Sequence, residues 1–264
     1  MSQQPSRSPA EVYDSLFVPA LFQQWPPRVL DAAAVTSAQQ VLDVASGTGV
    51  LACAAEARVG AAGRVVGLDP NDEMLAVARR KQASVEWRSG RAEALPFAGS
   101  TFDAVVSQFG LMFFEDRSQA LREMLRVLRP GGRLALAVCD ALDHSPGYAV
   151  LAELLHRLFG EPVAQAFRAP FACGDADQLR ATCVAAGVPD AQVRRHDGRV
   201  RFASIESLVA TERACVWTLG GLLDEAQFAR LLGAAEESLA PFLGADGGIE
   251  FDMPALIVSA TKAG

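Results

Sequence analysis

Short apolar runs alternate with stretches of helical period through the first half of the chain. Residues 41–44, 65–68, 85–87, 104–107 and 134–138 are apolar runs of strand length, suited to strands buried on both faces of a parallel sheet. Between them, Met74, Leu75 and Ala78 form one helical stripe and Leu121, Met124, Leu125 and Leu128 another. Pro130-Gly131-Gly132 is expected to stop the second helix and turn the chain back. This alternation predicts an α/β fold with a doubly wound sheet whose ligands sit beyond the strand carboxyl ends, where Asp43, Asp69, Gly90 and Ser107 fall.

Beyond Asp140 the pattern changes. Helical stripes occur at Leu151, Leu154, Leu155 and Leu158, at Ile205, Leu208 and Val209, and at Phe228, Leu231, Leu232 and Ala235, separated by strand-like pieces at 193–202 and 255–260. Ahead of the first strand, the segment from Tyr13 to Trp25 is rich in aromatics. Leu16, Phe17, Ala20 and Leu21 have helical spacing there, which fits a helix packed on the core as well as one covering a pocket. Tyr13 is the residue expected to touch a ligand, since a phenol can pack and hydrogen-bond at once.

The chemistry concentrates in Val41-Leu42-Asp43-Val44-Ala45-Ser46-Gly47-Thr48-Gly49-Val50-Leu51-Ala52, an apolar strand that passes through an acid and two close glycines into a helix. The glycines permit a sharp turn and let backbone N–H groups approach a ligand. Asp69 closes the next apolar run, where a carboxylate can take both hydroxyls of a ribose. Gly47-x-Gly49-x-x-Ala52 alone would also satisfy a dinucleotide pattern, but Asp43 faces the same crevice and would repel a pyrophosphate. A cationic cofactor fits better, and S-adenosylmethionine offers a methionyl ammonium for Asp43 and a ribose for Asp69.

Asp43-x-Ala45-x-Gly47-x-Gly49 followed by Gly67-Leu68-Asp69 resembles the cofactor motifs of class I S-adenosylmethionine-dependent methyltransferases. Three further segments strengthen the resemblance: Gly90-Arg91-Ala92-Glu93-Ala94-Leu95-Pro96-Phe97, Ser100-Thr101-Phe102-Asp103-Ala104-Val105-Val106-Ser107, and Leu125-Arg126-Val127-Leu128-Arg129-Pro130-Gly131-Gly132. Together they look like the ubiquinone-biosynthesis-type branch of small-molecule methyltransferases, over residues 38 to 140. The resemblance implies a Rossmann-like, mostly parallel sheet with an antiparallel last strand and a helical cap. It makes the whole chain one methyltransferase domain: an N-terminal helical segment (1–37), the cofactor-binding core (38–140), and the remaining sheet edge (141–264) with a cap inserted around 204–247. The cofactor would be met by Tyr13, Asp43, Ala45, Ser46, Gly47, Gly49, Asp69, Pro70, Met74, Arg91, Ala92, Glu93, Gln108, Phe109 and Phe113. One departure is Arg91, which stands where the family usually has an acid near the adenine amino group. An arginine cannot accept that proton, so backbone around Ala92 and stacking are left to hold the ring, with Arg91 lying across it or turned to solvent.

Methyl transfer from a sulfonium depends chiefly on positioning, and a general base is needed only if the nucleophile arrives protonated. His144, just after the fifth core strand, is the candidate base; a solvated loop histidine is the alternative. His156 falls in an amphipathic helix and His196 in an edge strand, and Arg168 and Arg201 could bind an acidic acceptor or simply be solvated. The five cysteines are scattered with no metal-ligand spacing, so no metal is expected. A net charge of −7 and the lack of a basic run argue against nucleic acid and anionic membrane as partners, leaving a small-molecule acceptor; a homodimer stays open. The first residues lack a signal pattern and no apolar stretch reaches membrane-spanning length, which reads as cytoplasmic. Two rival functions remain: a nicotinamide-dependent oxidoreductase, disfavoured by Asp43, and a non-catalytic module retaining the cofactor fold.

Overall fold

The computed structural model describes residues 8–215 and 217–263; the stretch 1–7, where the sequence shows no signal pattern, lies outside them. The chain opens with α1 (Pro9–Val12), a π-helical segment Tyr13–Phe22 and α2 (Pro26–Ala32). It then alternates β1 (Gln40–Val44), α3 (Val50–Val59), β2 (Arg64–Asp69), α4 (Asp72–Lys81), β3 (Glu86–Ser89), β4 (Phe102–Gln108), α5 (Arg117–Val127) and β5 (Leu128–Cys139). The second half runs α6 (Pro146–Phe159), α7 (Glu161–Arg168), α8 (Ala176–Ala185), β6 (Gln192–His196), β7 (Arg199–Phe202), α9 (Ile205–Ala214), α10 (Glu225–Ser238), β8 (Ile249–Asp252) and β9 (Ala255–Thr261).

Seven strands form one sheet in the order β3-β2-β1-β4-β5-β9-β6. The first five strands are parallel, and β9 runs antiparallel to both β5 and β6, as the family resemblance implies for the last strand. Val41, Leu42 and Val44 of β1 and Val105 and Val106 of β4 are fully buried, which is why these strands read as unbroken apolar runs. Helix boundaries follow local chemistry. The Asn71 side chain accepts from the Glu73 and Met74 N–H groups at the start of α4, with Asp72 and Glu73 in its first turn and Arg79, Arg80 and Lys81 in its last, matching the helix dipole at both ends.

Two expectations are corrected. Pro130-Gly131-Gly132 does not stop α5, which ends at Val127. Leu128 is already paired with Phe102, and the Pro-Gly-Gly run then bulges so that Arg133 faces Ala104, with Gly131 at φ +77°. The strand-like piece 193–202 is two strands: β6 edges the large sheet, while β7 leaves it to pair with β8 in a two-stranded sheet. The break falls at Gly198 because the Trp25 indole occupies the space beside it; a Cβ there would lie 2.3 Å from the ring.

Trp25 therefore anchors the N-terminal segment. It is fully buried and meets Phe109 edge-on at 5.8 Å. Next to it, the Gln24 amide donates to the Arg199 carbonyl at 2.6 Å and accepts from the Arg199 N–H at 3.1 Å, tying the segment to β7. Removing so large a buried ring leaves a cavity that the rigid sheet cannot fill. Trp25→Ala should lower unfolding free energy by about 3–5 kcal/mol, read as a shift in urea midpoint at unchanged slope; a loss below about 1 kcal/mol would show that the segment is anchored elsewhere.

Candidate active site

The strand order reverses at β1, between β2 and β4, so a crevice opens between the loops that follow β1 and β4. These loops touch: a Cβ on Gly110 would stand 2.6 Å from the Ala45 Cβ. Ala45 (φ +59°) and Phe109 (φ +56°) both hold left-handed backbone there. For a side chain as large as Phe such backbone costs about 1–3 kcal/mol and clusters at functional sites.

The crevice deepens into a cavity of about 650 Å³. Of the residues expected at a cofactor, Tyr13, Ala45, Gly47, Asp69, Pro70, Met74, Arg91, Ala92, Glu93, Gln108, Phe109 and Phe113 line it, whereas Asp43, Ser46 and Gly49 do not. Asp69 shapes its polar end. One carboxylate oxygen accepts from the Gly47 N–H at 2.8 Å and the other from the Asn71 N–H at 2.9 Å, so the carboxylate fixes the loop after β1 and the turn after β2 and keeps lone pairs toward the cavity. Burial raises the Asp69 pKa, and the two N–H groups oppose that rise.

Asp43 is 1% exposed, and among the described residues neither of its oxygens has a hydrogen-bond partner; the Ser46 and Thr48 hydroxyls are orphaned likewise. Burial, then the charge of Asp69, pushes the Asp43 carboxyl well above the usual carboxylate range. Asp69 at the wall, with Asp43 and the two orphaned hydroxyls buried behind it, suits a ligand with an ammonium and vicinal hydroxyls held directly or through water, and disfavours a pyrophosphate. Gly49 has a different role: a Cβ there would stand 2.4 Å from the Trp87 ring, so its missing side chain makes room for the indole rather than for a ligand. At Gly47, by contrast, a Cβ would meet only the Tyr13 ring, at 4.0 Å, across the cavity.

Arg91 is turned to the rim, where its guanidinium pairs with Glu115 at 2.8 Å and approaches Glu93 at 3.6 Å. Buried Ala92 stays behind at the wall. Tyr13 stacks with Phe22 at 5.4 Å and meets Trp217 edge-on at 5.8 Å; burial raises its phenol pKa further above the ordinary value. The N-terminal segment thus both packs and covers, and it is latched by Lys81, which reaches Asp14 at 2.6 Å and the Thr48 carbonyl at 3.2 Å.

His144 does not line the cavity. It is half exposed, and its Nδ1 lies 3.0 Å from Asp140, which Arg195 also meets at 2.7 Å. The far half of the cavity is instead apolar, walled by Tyr148 of α6, Phe167 of α7, Phe171 and Trp217, with Glu212 of α9 as its buried acid. The cap is therefore narrower than expected: α9 and the turn after it reach the cavity, while α10 packs on α6 and α9 outside it. Sequence reasoning passed over Glu212 and Tyr148, yet both carried a signal. Glu212 continues the apolar stripe Ile205, Leu208, Val209, and Tyr148 begins the stripe that runs through Leu151 and Leu155, so each places a polar atom on a core-facing position.

Residues 42–136 match the family described as a methyltransferase domain. The chain is 42% identical over 130 residues to the ubiquinone/menaquinone biosynthesis C-methyltransferase UbiE of Klebsiella pneumoniae, covering 47% of this chain and 52% of that protein. It is 40% identical over 132 residues to its Idiomarina loihiensis counterpart, covering 48% and 53%. It thus spans about half the length of these curated relatives. Among solved structures, the YcgJ protein of Bacillus subtilis superposes with a TM-score of 0.61 at 20% identity over 91% of this chain and 99% of that one. A Haemonchus contortus phosphoethanolamine N-methyltransferase 2, in complex with S-adenosyl-L-methionine, superposes with a TM-score of 0.62 at 17% identity, over 97% and 57%. These structural likenesses show the fold.

The two glycines should separate by phenotype. Both have positive φ, so alanine strains either. Gly47→Ala should weaken S-adenosylhomocysteine binding with about 1–2 kcal/mol lost in stability, whereas Gly49→Ala should cost more stability because Trp87 must move. Titration calorimetry and urea unfolding on both variants test this; equal stability losses would contradict it.

Proposed function

We propose that this chain, whose residues 42–136 form a methyltransferase domain, moves the methyl group of S-adenosylmethionine to a small organic acceptor lodged in the apolar half of the cavity. The observation that carries the reading is the preorganised acidic end: Asp69 held by two backbone N–H groups, beside an Asp43 carboxylate with no partner among the described residues. The cofactor supplies an electrophilic methyl on a sulfonium when bound. Asp69 would take the ribose hydroxyls and Asp43, with Ser46 and Thr48, the methionyl end, directly or through water. Ala92, Met74 and Phe113 would enclose the adenine, with Arg91 kept at the rim by Glu115. The aromatic wall would exclude water, and the chamber lined by α6, α7 and α9 would hold the acceptor, so the residues would contribute orientation more than chemistry.

The named relatives are C-methyltransferases. Tyr148, Phe167, Glu212 and Trp217, however, all lie outside the matched residues 42–136, so the acceptor is a matter for this chain's own cap. A hydride-transfer role is less well supported, because the Asp69 carboxylate lines the polar end of the cavity with buried Asp43 close behind it, an acidic setting that suits a pyrophosphate poorly. Calorimetry with S-adenosylhomocysteine and with NAD decides between them; binding of NAD in preference would overturn the proposal. Asp69→Asn, which keeps the shape and removes the charge, should weaken S-adenosylhomocysteine about 10–100-fold, the worth of one charge-assisted hydrogen bond. Unchanged affinity would mean that the ribose is held elsewhere.

A second measurement reads Asp43. Its pKa is raised in the free protein, so over the range between the ordinary carboxylate value and that raised value it is protonated until an ammonium arrives. Binding then releases a proton, and affinity should rise with pH across that window. Calorimetry in buffers of different ionisation enthalpy reports the release directly; the Asp43→Asn variant should show none.

A further inference from the structure

We infer that Glu212 is the group that receives the acceptor's proton, and that the acceptor is an apolar, ring-bearing molecule whose hydroxyl docks against this carboxylate. The inference rests on the methyl-transfer reading above and extends it to the other half of the cavity.

Glu212 lines the cavity and is 2% exposed, yet its Oε2 and the Tyr148 hydroxyl have no hydrogen-bond partner among the described residues. No described Lys, Arg or His pairs with it. Burying a carboxylate costs several kcal/mol; the Thr218 and Tyr148 hydroxyls beside Glu212 favour its charged form, but burial outweighs them. Its position repeats the point: the three residues before it on the same stripe of α9, Ile205, Leu208 and Val209, are all buried and apolar. A carboxylate in a packing position, pointed at a cavity, has its donor supplied from within the cavity.

The chamber around it defines that donor's carrier. Tyr148 meets Phe167 at 5.8 Å, Phe171 at 5.9 Å and Phe251 at 5.1 Å, so the walls are aromatic and suit a flat apolar body. The titratable groups facing Glu212 are Tyr148 from α6, Cys139 from the end of β5 and Cys215 from the turn after α9, none of them cationic. Burial pushes the Glu212 carboxyl up to about 7, so near neutrality it can both accept and return a proton. A hydroxyl on a flat apolar ring matches these aromatic walls, its proton meeting the Glu212 carboxylate and its oxygen open to the Tyr148 hydroxyl, which has no partner among the described residues. In the step, the acceptor O–H bond breaks and its proton passes to Glu212. The oxygen's freed electron pair forms the new bond to the methyl carbon, and the carbon–sulfur pair leaves with the sulfur. Water takes the proton when product departs.

The test is equilibrium binding of 1-naphthol against 1-methoxynaphthalene, each in saturating S-adenosylhomocysteine. Wild type should prefer the naphthol by about tenfold or more, the worth of a charge-assisted hydrogen bond. Glu212→Gln should lose that preference while binding S-adenosylhomocysteine as wild type does. The wild-type preference should also fade as pH falls through about 7, where Glu212 becomes protonated, a readout that requires no variant. No preference in wild type, a preference that survives Glu212→Gln, or one indifferent to pH overturns the role of Glu212. Failure of wild type to bind S-adenosylhomocysteine at all overturns the underlying methyl-transfer reading instead, so the two failures are distinguishable.

Discussion

The hydrogen bond from the Gly47 N–H to the Asp69 carboxylate is the constraint on which the polar half of the cavity depends. It joins the loop after β1 to the end of β2, and the second carboxylate oxygen holds Asn71, whose side chain starts α4. One residue therefore sets the positions of a turn, a strand end and a helix start before any ligand arrives. A ligand that uses the remaining lone pairs finds them already oriented, and no loop has to be ordered on binding.

The polar half was legible in the sequence because its parts are local. Asp43 to Gly49 is one strand-loop passage, Gly67 to Asp69 ends the next strand, and the parallel sheet brings the two together without any other choice. The apolar half was less legible because its parts are distant. Tyr148, Phe167 and Glu212 come from three helices whose meeting depends on tertiary packing, and each sits in an amphipathic stripe that reads as ordinary core. His144 shows the converse. Its place after a core strand suggested the site, but its ring is turned to Asp140, the same carboxylate that Arg195 meets once β6 takes the sheet edge. The split of 193–202 had the same cause: nothing within those ten residues announces that Trp25, far earlier in the chain, will occupy the space beside Gly198.

The site thus joins two kinds of residue. Backbone groups and acids at the strand ends lie within the stretch that matches the methyltransferase domain family, while the cap residues around Glu212 lie outside it. The strained Phe109 stands between them. Its ring packs on Phe22 and Trp25, its N–H reaches the Ala137 carbonyl at 2.8 Å, and Gly110 beside it presses on Ala45. The N-terminal segment therefore packs directly on the residue at which the two loops of the crevice meet.

The two-stranded sheet of β7 and β8 bears on how such a protein can change over time. Phe202 pairs with Ile249, so the chain enters and leaves the intervening segment across one strand spacing, about 5 Å. A segment whose ends already meet adds little closure entropy when its length changes, and the seven-stranded sheet does not register what lies between. The segment that carries Glu212 is in this sense a cassette: recombination or a designer can exchange it for another of different length and chemistry, giving the same acidic end a new clientele while the seven-stranded sheet stays as it is.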